Sequence, residues 1–382
     1  MKNPRSASWR RRGAALGIVA LLAAACGSDD GATVRNLDAD GETSASASSS
    51  SSGSASASAT AAGSATTSTD GDGGYEYASN VDSHRLVVLD ICGIGDLLDA
   101  GDFDAVGTIY RDGVNSVKSD GSVRTIAGFA AGEGKQHGLD AYYGTPTPLD
   151  DFVSAALAGS GEFDGMSDAV RGQGVEKGMQ NQTMVAWTVH ELNAALTKAA
   201  DGNFDVQEGA VHNWDEGWAF YHGADGNCGP WTTANKRAGN FGTTGDGDIA
   251  QANINILQAM IDGRDALLAE DAAGAEAAAS EAIRNIVITY SQAAIRYASL
   301  VEGDLAEGDA ETAKVHQAEG LAFWRVIEST VAPVGADVDA INAILDLGSE
   351  PGENGFGDDV RVALEPAWDA LGISADEIGT LG

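Results

Sequence analysis

The stretch that decides the fold is DIAQANINILQAMIDGRDALLAE (residues 248–270), which EAAASEAIRNIVITYSQAAIRYASLVEGD (276–304) continues in the same style. Apolar residues recur in the first stretch at helical intervals, at Ile249, Ile256, Met260 and Leu267. This spacing is typical of an amphipathic helix. Strand patterns are scarce, and RLVVLDI (85–91) is too short to distinguish a strand from a buried helix. The sequence therefore predicts a mainly α fold.

Three segments each read as a helix, a turn of Gly with Asp or Asn, and a second helix: 97–113, 196–217 and 299–320. Gly tolerates the left-handed conformation that ends a helix, and Asp or Asn caps the next one. We therefore predict a bundle of repeated αα-hairpins. The last two segments also share the short sequences Val-His and Glu-Gly-x-Ala-Phe. This similarity indicates an internal duplication, with the two copies at approximately 180–225 and 285–330.

The amino terminus predicts export. Residues 1–25 combine five basic residues with the short apolar run Ala14–Ala25, which is too short to span a bilayer. LLAAAC (21–26) resembles a bacterial lipobox, in which the cysteine is lipidated before cleavage. We expect a protein anchored by a lipid on Cys26 in the periplasm or at the cell surface. A plain secretory signal with a coincidental cysteine is the alternative.

Composition divides the rest of the chain in two. Residues 26–74 are mostly Ser, Ala, Thr, Gly and Asp, which predicts a disordered tether because little apolar surface can be buried. Residues 75–382 are expected to form a single α-helical domain whose N-terminal portion, notably 134–166, is rich in loops. Cleavage at Cys26 takes the net charge from −35 to about −40. Such a surface disfavours nucleic acid and favours cations, although acidic residues can also serve only to hydrate the surface.

Two cysteines remain besides the lipidated one, Cys92 and Cys228, each beside glycine. In an exported protein this pair predicts one disulfide that closes a long loop. Two free thiols are the alternative.

The segment AVHNWDEGWAFYHG (210–223) carries the first candidate metal ligands. His212, Asp215 and Glu216 share one side of a helix, and the aromatic residues share the opposite side. Imidazole and carboxylate four residues apart on one face can hold a metal ion. The alternative is that the aromatic side faces the core while His and Glu face water.

The related segment KVHQAEGLAFWRVIE (314–328) carries a second pair, His316 and Glu319, on the apolar side of its helix. A buried carboxylate is costly unless it is paired or bound to a cation. If the two halves pack about a pseudo-two-fold axis, both His/Glu pairs converge on one ion. Two histidines and two carboxylates suit iron, zinc or manganese.

Several other residues are weaker candidates for metal ligands. His190 and Glu191 lie in the middle of a helix, where a core histidine is the alternative, and Glu133 and His137 form a ligand pair or a polar turn. His222 is expected to cap its helix, and His84 to lie at the surface near the tether. No nucleophile motif, phosphate-binding loop or dinucleotide fingerprint is present.

Three phrases resemble the low-iron-inducible periplasmic, iron-assimilating protein family: DFDAVGTIYRDGVNSVKSDGSVRTIAGFA (102–130), YYG (142–144) and HNWDEGWAFYHG (212–223). The resemblance spans roughly 85–370. It implies a secreted helical protein that promotes ferrous iron uptake, with His212, Glu216, His316 and Glu319 as metal contacts. A more distant resemblance is to the imelysin-like helical lipoproteins, whose His-x-x-Glu pattern is similar to His316–Glu319. A Gly usually precedes the histidine in that group, whereas Val315 precedes it here.

These observations favour a non-catalytic, lipid-anchored metal-binding protein that aids iron acquisition. Iron, as Fe²⁺ or Fe³⁺, is the expected ion, and a membrane transporter or reductase is the expected partner. The membrane itself is contacted only through the anchor. One alternative is a metal-dependent hydrolase with Glu191 as its general base, and the other is a non-catalytic cell-surface interaction scaffold.

Overall fold

The computed structural model describes residues 72–382. Their regular structure is helical, and no β-strand occurs among them beyond the isolated bridges Val117–Val123 and Thr244–Ala250. The prediction of a mainly α fold is confirmed. The predicted signal sequence, Cys26 and the part of the predicted tether up to residue 71 lie outside the described residues.

Short helices make up the N-terminal portion, as the turn-rich sequence predicted. They are α1 (Asp82–Arg85), α2 (Leu89–Cys92), α3 (Ile94–Asp99), α4 (Phe103–Asp112), α5 (Ile126–Ala130), α6 (Leu139–Tyr143) and α7 (Pro148–Ala158). The apolar run 85–91, whose length is compatible with a strand or a buried helix, therefore belongs to helical turns.

Longer helices dominate the remainder of the chain. They are α8 (Asp168–Lys177), α9 (Met184–Ala200), α10 (Ala210–Tyr221), α11 (Pro230–Phe241), α12 (Gln251–Leu268), α13 (Ala272–Glu307), α14 (Ala310–Val331), α15 (Val338–Leu345), α16 (Gly357–Leu371) and α17 (Ala375–Ile378). A buried π-helical segment, Gly178–Thr183, joins α8 to α9. A π-helical turn accommodates an extra residue within a continuing helix.

Successive long helices pack as hairpins, namely α9 with α10, α12 with α13, and α13 with α14. The turn chemistry is the predicted one. Gly308 adopts a left-handed conformation at the end of α13, and the Asp309 side chain accepts the Thr312 N–H to cap α14. Both predicted repeat copies are thus helical hairpins, whereas their common origin stays a prediction.

The N-terminal segment, defined here as residues 72–92, packs along α10. Asp72 accepts hydrogen bonds from Tyr77 and Arg85, and its carbonyl oxygen accepts the Trp218 indole N–H at 2.9 Å. Asp72 and Tyr75 are buried. The folded part therefore already includes Asp72–Gly74, which had been assigned to the tether, because these residues complete the polar contacts of α10.

A disulfide joins Cys92 to Cys228, which confirms the predicted pairing. It links the end of the N-terminal segment to the turn between α10 and α11 across 136 residues of chain. The segment is therefore held covalently at one end and by hydrogen bonds to Asp72 at the other.

A glycine in α12 permits its close packing against α10. The Trp214 indole donates to the Met260 carbonyl at 2.7 Å, and a Cβ at Gly263 would lie 1.9 Å from the Trp214 ring. We expect Gly263→Ala to lower the free energy of unfolding by about 3 kcal/mol, because a fully buried indole has no room to move. Urea unfolding measures this change.

The matched control is Gly303→Ala on the exposed face of α13, where an added Cβ would have no neighbouring atom within 4 Å. Helix propensity alone should then stabilise the protein by up to about 1 kcal/mol. Equal effects of the two substitutions would contradict the packing argument.

Candidate metal centre

Helix α10 is buried on both of its sides. Except for the partly exposed His212, every residue from Ala210 to Tyr221 is buried. The aromatic side faces α12, whereas α9 and the N-terminal segment cover the side that carries Glu216. The alternative in which His and Glu simply face water therefore does not describe Glu216, which is 4% exposed.

Glu216 lies between two imidazole rings. Its Oε1 is 3.1 Å from His212 Nε2, one helical turn earlier, and 3.1 Å from His84 Nδ1 in the N-terminal segment. His84 was expected at the surface, and that expectation is wrong, since it is only 4% exposed. The sequence carried no indication of this contact because His84 is far from α10 along the chain.

A second buried carboxylate adjoins the first. Glu191 of α9 accepts the Asn213 side-chain amide at 2.5 Å, and the same amide nitrogen lies 3.4 Å from Glu216 Oε2. His190 Nε2 is 4.0 Å from Glu191 Oε1. Four of the predicted residues, His212, Glu216, His190 and Glu191, therefore lie in one polar layer on α9 and α10, in which only His212 is partly exposed.

Asp215, also predicted as a ligand, instead holds the N-terminal segment. One oxygen accepts the Tyr75 hydroxyl at 2.7 Å, and the other accepts the Ser79 N–H at 2.7 Å and its hydroxyl at 2.8 Å. Burial raises the pKa of Asp215, and these hydrogen bonds oppose that rise. With both oxygens occupied by protein donors, Asp215 positions its neighbours rather than facing a cation.

The hydrogen bonds assign two protons to His212. Because the Ser79 hydroxyl donates to Asp215, its oxygen must accept from His212 Nδ1 at 3.0 Å. Burial lowers the pKa of His212, but the Glu216 carboxylate outweighs burial and raises it. Nε2 then also carries a hydrogen toward Glu216, and the two residues form an ion pair that is buried on the side of Glu216.

Glu216 itself is ionised. Burial alone raises the pKa of its carboxyl group, but the charges of His84, His212 and Arg124 outweigh burial and lower it to about 2. Arg124 reaches this region from the loop after α4, where its Nε donates to the Ser83 hydroxyl at 3.2 Å. The loop that contains Val114 and Asn115 is bound to the N-terminal segment, since Asp90 accepts the backbone N–H groups of both residues.

His137 and His190 face each other with ring centroids 6.3 Å apart. His190 Nδ1 accepts the Gln136 N–H at 2.9 Å, and His137 Nδ1 accepts the Leu139 N–H at 3.1 Å. Each ring therefore carries its hydrogen on Nε2, which cannot bind a metal ion without losing it. Glu133, the predicted partner of His137, is exposed in the preceding loop. The proposed Glu133/His137 ligand pair is not assembled.

These two histidines predict loss of stability in mild acid. Burial lowers the pKa of His137 to about 4 and that of His190 to about 3, against about 6.5 when unfolded. The unfolded chain therefore binds more protons below pH 6.5, and stability falls as the pH drops from 6.5 toward 4. Near pH 5 the slope should approach about 2.7 kcal/mol per pH unit from this pair.

Chemical unfolding at pH 7.0, 6.0 and 5.0 measures that slope, above the range in which ordinary carboxylates titrate. His137→Gln should remove about half of the slope that this pair contributes, because one of its two titrating groups is lost. A stability that does not change between pH 6.5 and 5 would contradict the assignment of neutral, buried rings.

The second predicted pair lies elsewhere. His316 Nδ1 is 2.6 Å from Asp304 Oδ2, and Glu319 is 3.6 Å from the Lys177 ammonium group. Helix α14 packs against α13 and α8, whereas α10 packs against α9 and α12. The expected convergence of both His/Glu pairs on one ion is therefore not found, and Lys177 already balances the charge of Glu319.

His84, His212, Glu216 and Glu191 are the donors that could hold a metal ion. Imidazole and carboxylate together suit iron, zinc and manganese. Each imidazole nitrogen is 3.1 Å from Glu216 Oε1, so an ion between them would have to displace the hydrogen on His212 Nε2 and draw the ligands closer. Within 72–382, three ligand atoms lie within 4.8 Å of one another only at Cys92, Asp225 and Cys228, where the disulfide occupies both sulfurs.

Other predicted features are resolved by the same structure. His222 is the C-cap residue of α10, as expected, and it stacks on Trp218.

None of the helices in the described part of the chain is both long and apolar enough to cross a membrane.

Comparison with protein families gives a match over residues 49–382, most of the chain, to the model of the low iron-inducible periplasmic proteins. This is the family that the phrases in 102–130, 142–144 and 212–223 resemble. Searches of curated proteins and of solved structures each find no match. The chain belongs to the low iron-inducible periplasmic protein family.

Proposed function

We propose that this periplasmic protein binds an iron ion between α10 and the N-terminal segment as part of iron acquisition. The observation that carries the proposal is the position of Glu216, a buried carboxylate 3.1 Å from both His84 and His212. Glu191 lies beside it through Asn213. Protonated His212 balances the charge of Glu216 in the absence of an ion, and a bound ion would replace that proton as the cationic partner of the carboxylate.

Iron is the favoured ion for two reasons. Mixed nitrogen and oxygen ligands suit Fe²⁺ and Fe³⁺, and the family is defined by induction under low iron. Zinc and manganese fit the same ligand types and are the competitors to measure. The partly exposed edge of His212 provides the route by which an ion reaches the buried carboxylate.

The proposal includes a lipid on Cys26 and a flexible tether, because LLAAAC resembles a lipobox and residues 27–71 are poor in apolar side chains. A tether of this kind lets the folded part reach a transporter or reductase in the membrane. Mass spectrometry of the exported protein tests the lipid, since an acylated N-terminal cysteine and a free N-terminal residue differ in mass.

We propose a binding protein rather than a hydrolase. Glu191, the expected general base, is 1% exposed and bound to Asn213, so it has little access to an attacking water. Turnover of peptide or ester substrates by the metal-loaded protein would instead support the hydrolase.

The test is anaerobic titration of the purified full-length protein with Fe²⁺, followed by calorimetry, with Zn²⁺ and Mn²⁺ in parallel. One saturable micromolar or tighter site per chain is the expected result. Weak binding at many sites that salt abolishes would show that the acidic surface only attracts cations, and the proposal would fail.

A further inference from the structure

A small cavity lies behind α9, away from Glu216. Its volume is about 20 Å³, which is room for one particle of the size of a water molecule or a halide. Besides apolar side chains, its wall contains His137, Gln182, Arg325, Ser329 and Thr330. No Asp or Glu contributes to the wall, although acidic residues outnumber basic ones 57 to 22 in the chain.

Two hydrogen-bond donors in this wall have no acceptor among the residues that the structure describes. His137 Nε2 carries the ring hydrogen, because Nδ1 accepts the Leu139 N–H, and it is buried without a partner. Arg325 Nε is likewise buried without a partner. A buried donor left unsatisfied costs about 1–3 kcal/mol, so the cavity calls for an acceptor.

Arg325 also brings a charge that no carboxylate balances within ion-pair distance in residues 72–382. Its guanidinium group stacks on Tyr143 and Phe152, at 4.4 and 4.8 Å from the ring centroids. Nearby Glu328 is instead bound by the hydroxyls of Tyr142 and Tyr143. Arg325 acts on Glu162 only at long range. Burial raises the pKa of Glu162, and the charge of Arg325 opposes that rise.

We infer that this cavity binds a small monovalent anion of the size of chloride between His137 Nε2 and Arg325. Water can accept both hydrogen bonds, but it leaves the partly buried guanidinium charge without a counterion. A halide accepts both hydrogen bonds and balances the charge. The site is formed by the π-helical segment and α9, by α14, and by residues of 137–149 around α6 and the start of α7. It does not depend on the binding of a metal ion by Glu216.

Thermal unfolding of the full-length protein at constant ionic strength tests the site, with sodium chloride or bromide replacing sodium gluconate. Gluconate is too large for the cavity. The unfolding midpoint should rise with halide concentration in the manner of a saturable ligand. Arg325→Gln should weaken the apparent affinity for chloride about tenfold or more, while Arg325→Lys, which keeps the charge, should retain part of it.

The matched control is Arg284→Gln, since Arg284 is a partly buried helical arginine that is already paired with Glu377. Its halide response should remain that of the wild type even if its overall stability falls. A bromide soak followed by anomalous diffraction should give a peak beside Arg325. A cavity that holds only water in bromide, or a halide response that Arg325→Gln leaves unchanged, would overturn the inference.

Discussion

Replacing Glu216 by Gln is expected to abolish tight iron binding, with a loss of affinity of about 100-fold or more. The amide has almost the same shape, but it removes the negative charge that faces His84 and His212. It also ends the ion pair with His212, whose raised pKa depends on that carboxylate. Anaerobic Fe²⁺ calorimetry gives the affinity, and circular dichroism verifies that the helix content is retained.

Glu319→Gln is the matched control for this experiment. Glu319 occupies the related position in the second hairpin, but its partner is Lys177 and it is remote from the α9–α10 layer. Its replacement should leave iron affinity within about twofold of wild type. Equal losses in the two variants, or none in Glu216→Gln, would reject the site between α10 and the N-terminal segment.

Removing the disulfide should cost both stability and metal affinity. With both Cys92 and Cys228 replaced by Ser, we expect the free energy of unfolding to fall by about 3–5 kcal/mol, because a loop of 136 residues is no longer closed in the unfolded chain. His84 belongs to the segment that this bond holds, so iron affinity should fall by about tenfold or more as its imidazole loses its fixed position.

The two effects can be separated. Wild-type protein treated with a reducing agent should match the double Ser variant, whereas the variant itself should not respond to the reagent. Hydrogen exchange should show faster opening of residues 72–92 with little change in α13. Unchanged iron affinity in a variant whose N-terminal segment opens freely would show that His84 is not a ligand.

Helix type and order could be predicted from the sequence because they depend on local patterns. The apolar spacing in 248–270 marks α12, and the Gly-Asp turn after Glu307 marks the start of α14. The burial of α10 at every residue but His212 could not be predicted in the same way. A helical wheel shows one apolar side, but only tertiary structure shows that a second layer covers the polar side.

The same distinction between local patterns and tertiary contacts applies to the residues of the candidate site. His212 and Glu216 meet because four residues of helix bring them together, and sequence spacing contains that information. His84 joins them through tertiary contacts alone, so no local pattern pointed to it. His316 and Glu319 were grouped with the first pair because their segment looks like a copy, yet similarity between two segments does not specify that they face each other.

The chain order of the ligands has a consequence for where the metal is acquired. His84 lies near the start of the folded part, whereas its partners on α10 and the closing Cys228 come much later in the chain, Cys228 136 residues after Cys92. The disulfide forms only in an oxidising compartment. Because the disulfide holds the segment that carries His84, we expect the proposed site to be complete only in that compartment and to select its ion from the metals available there.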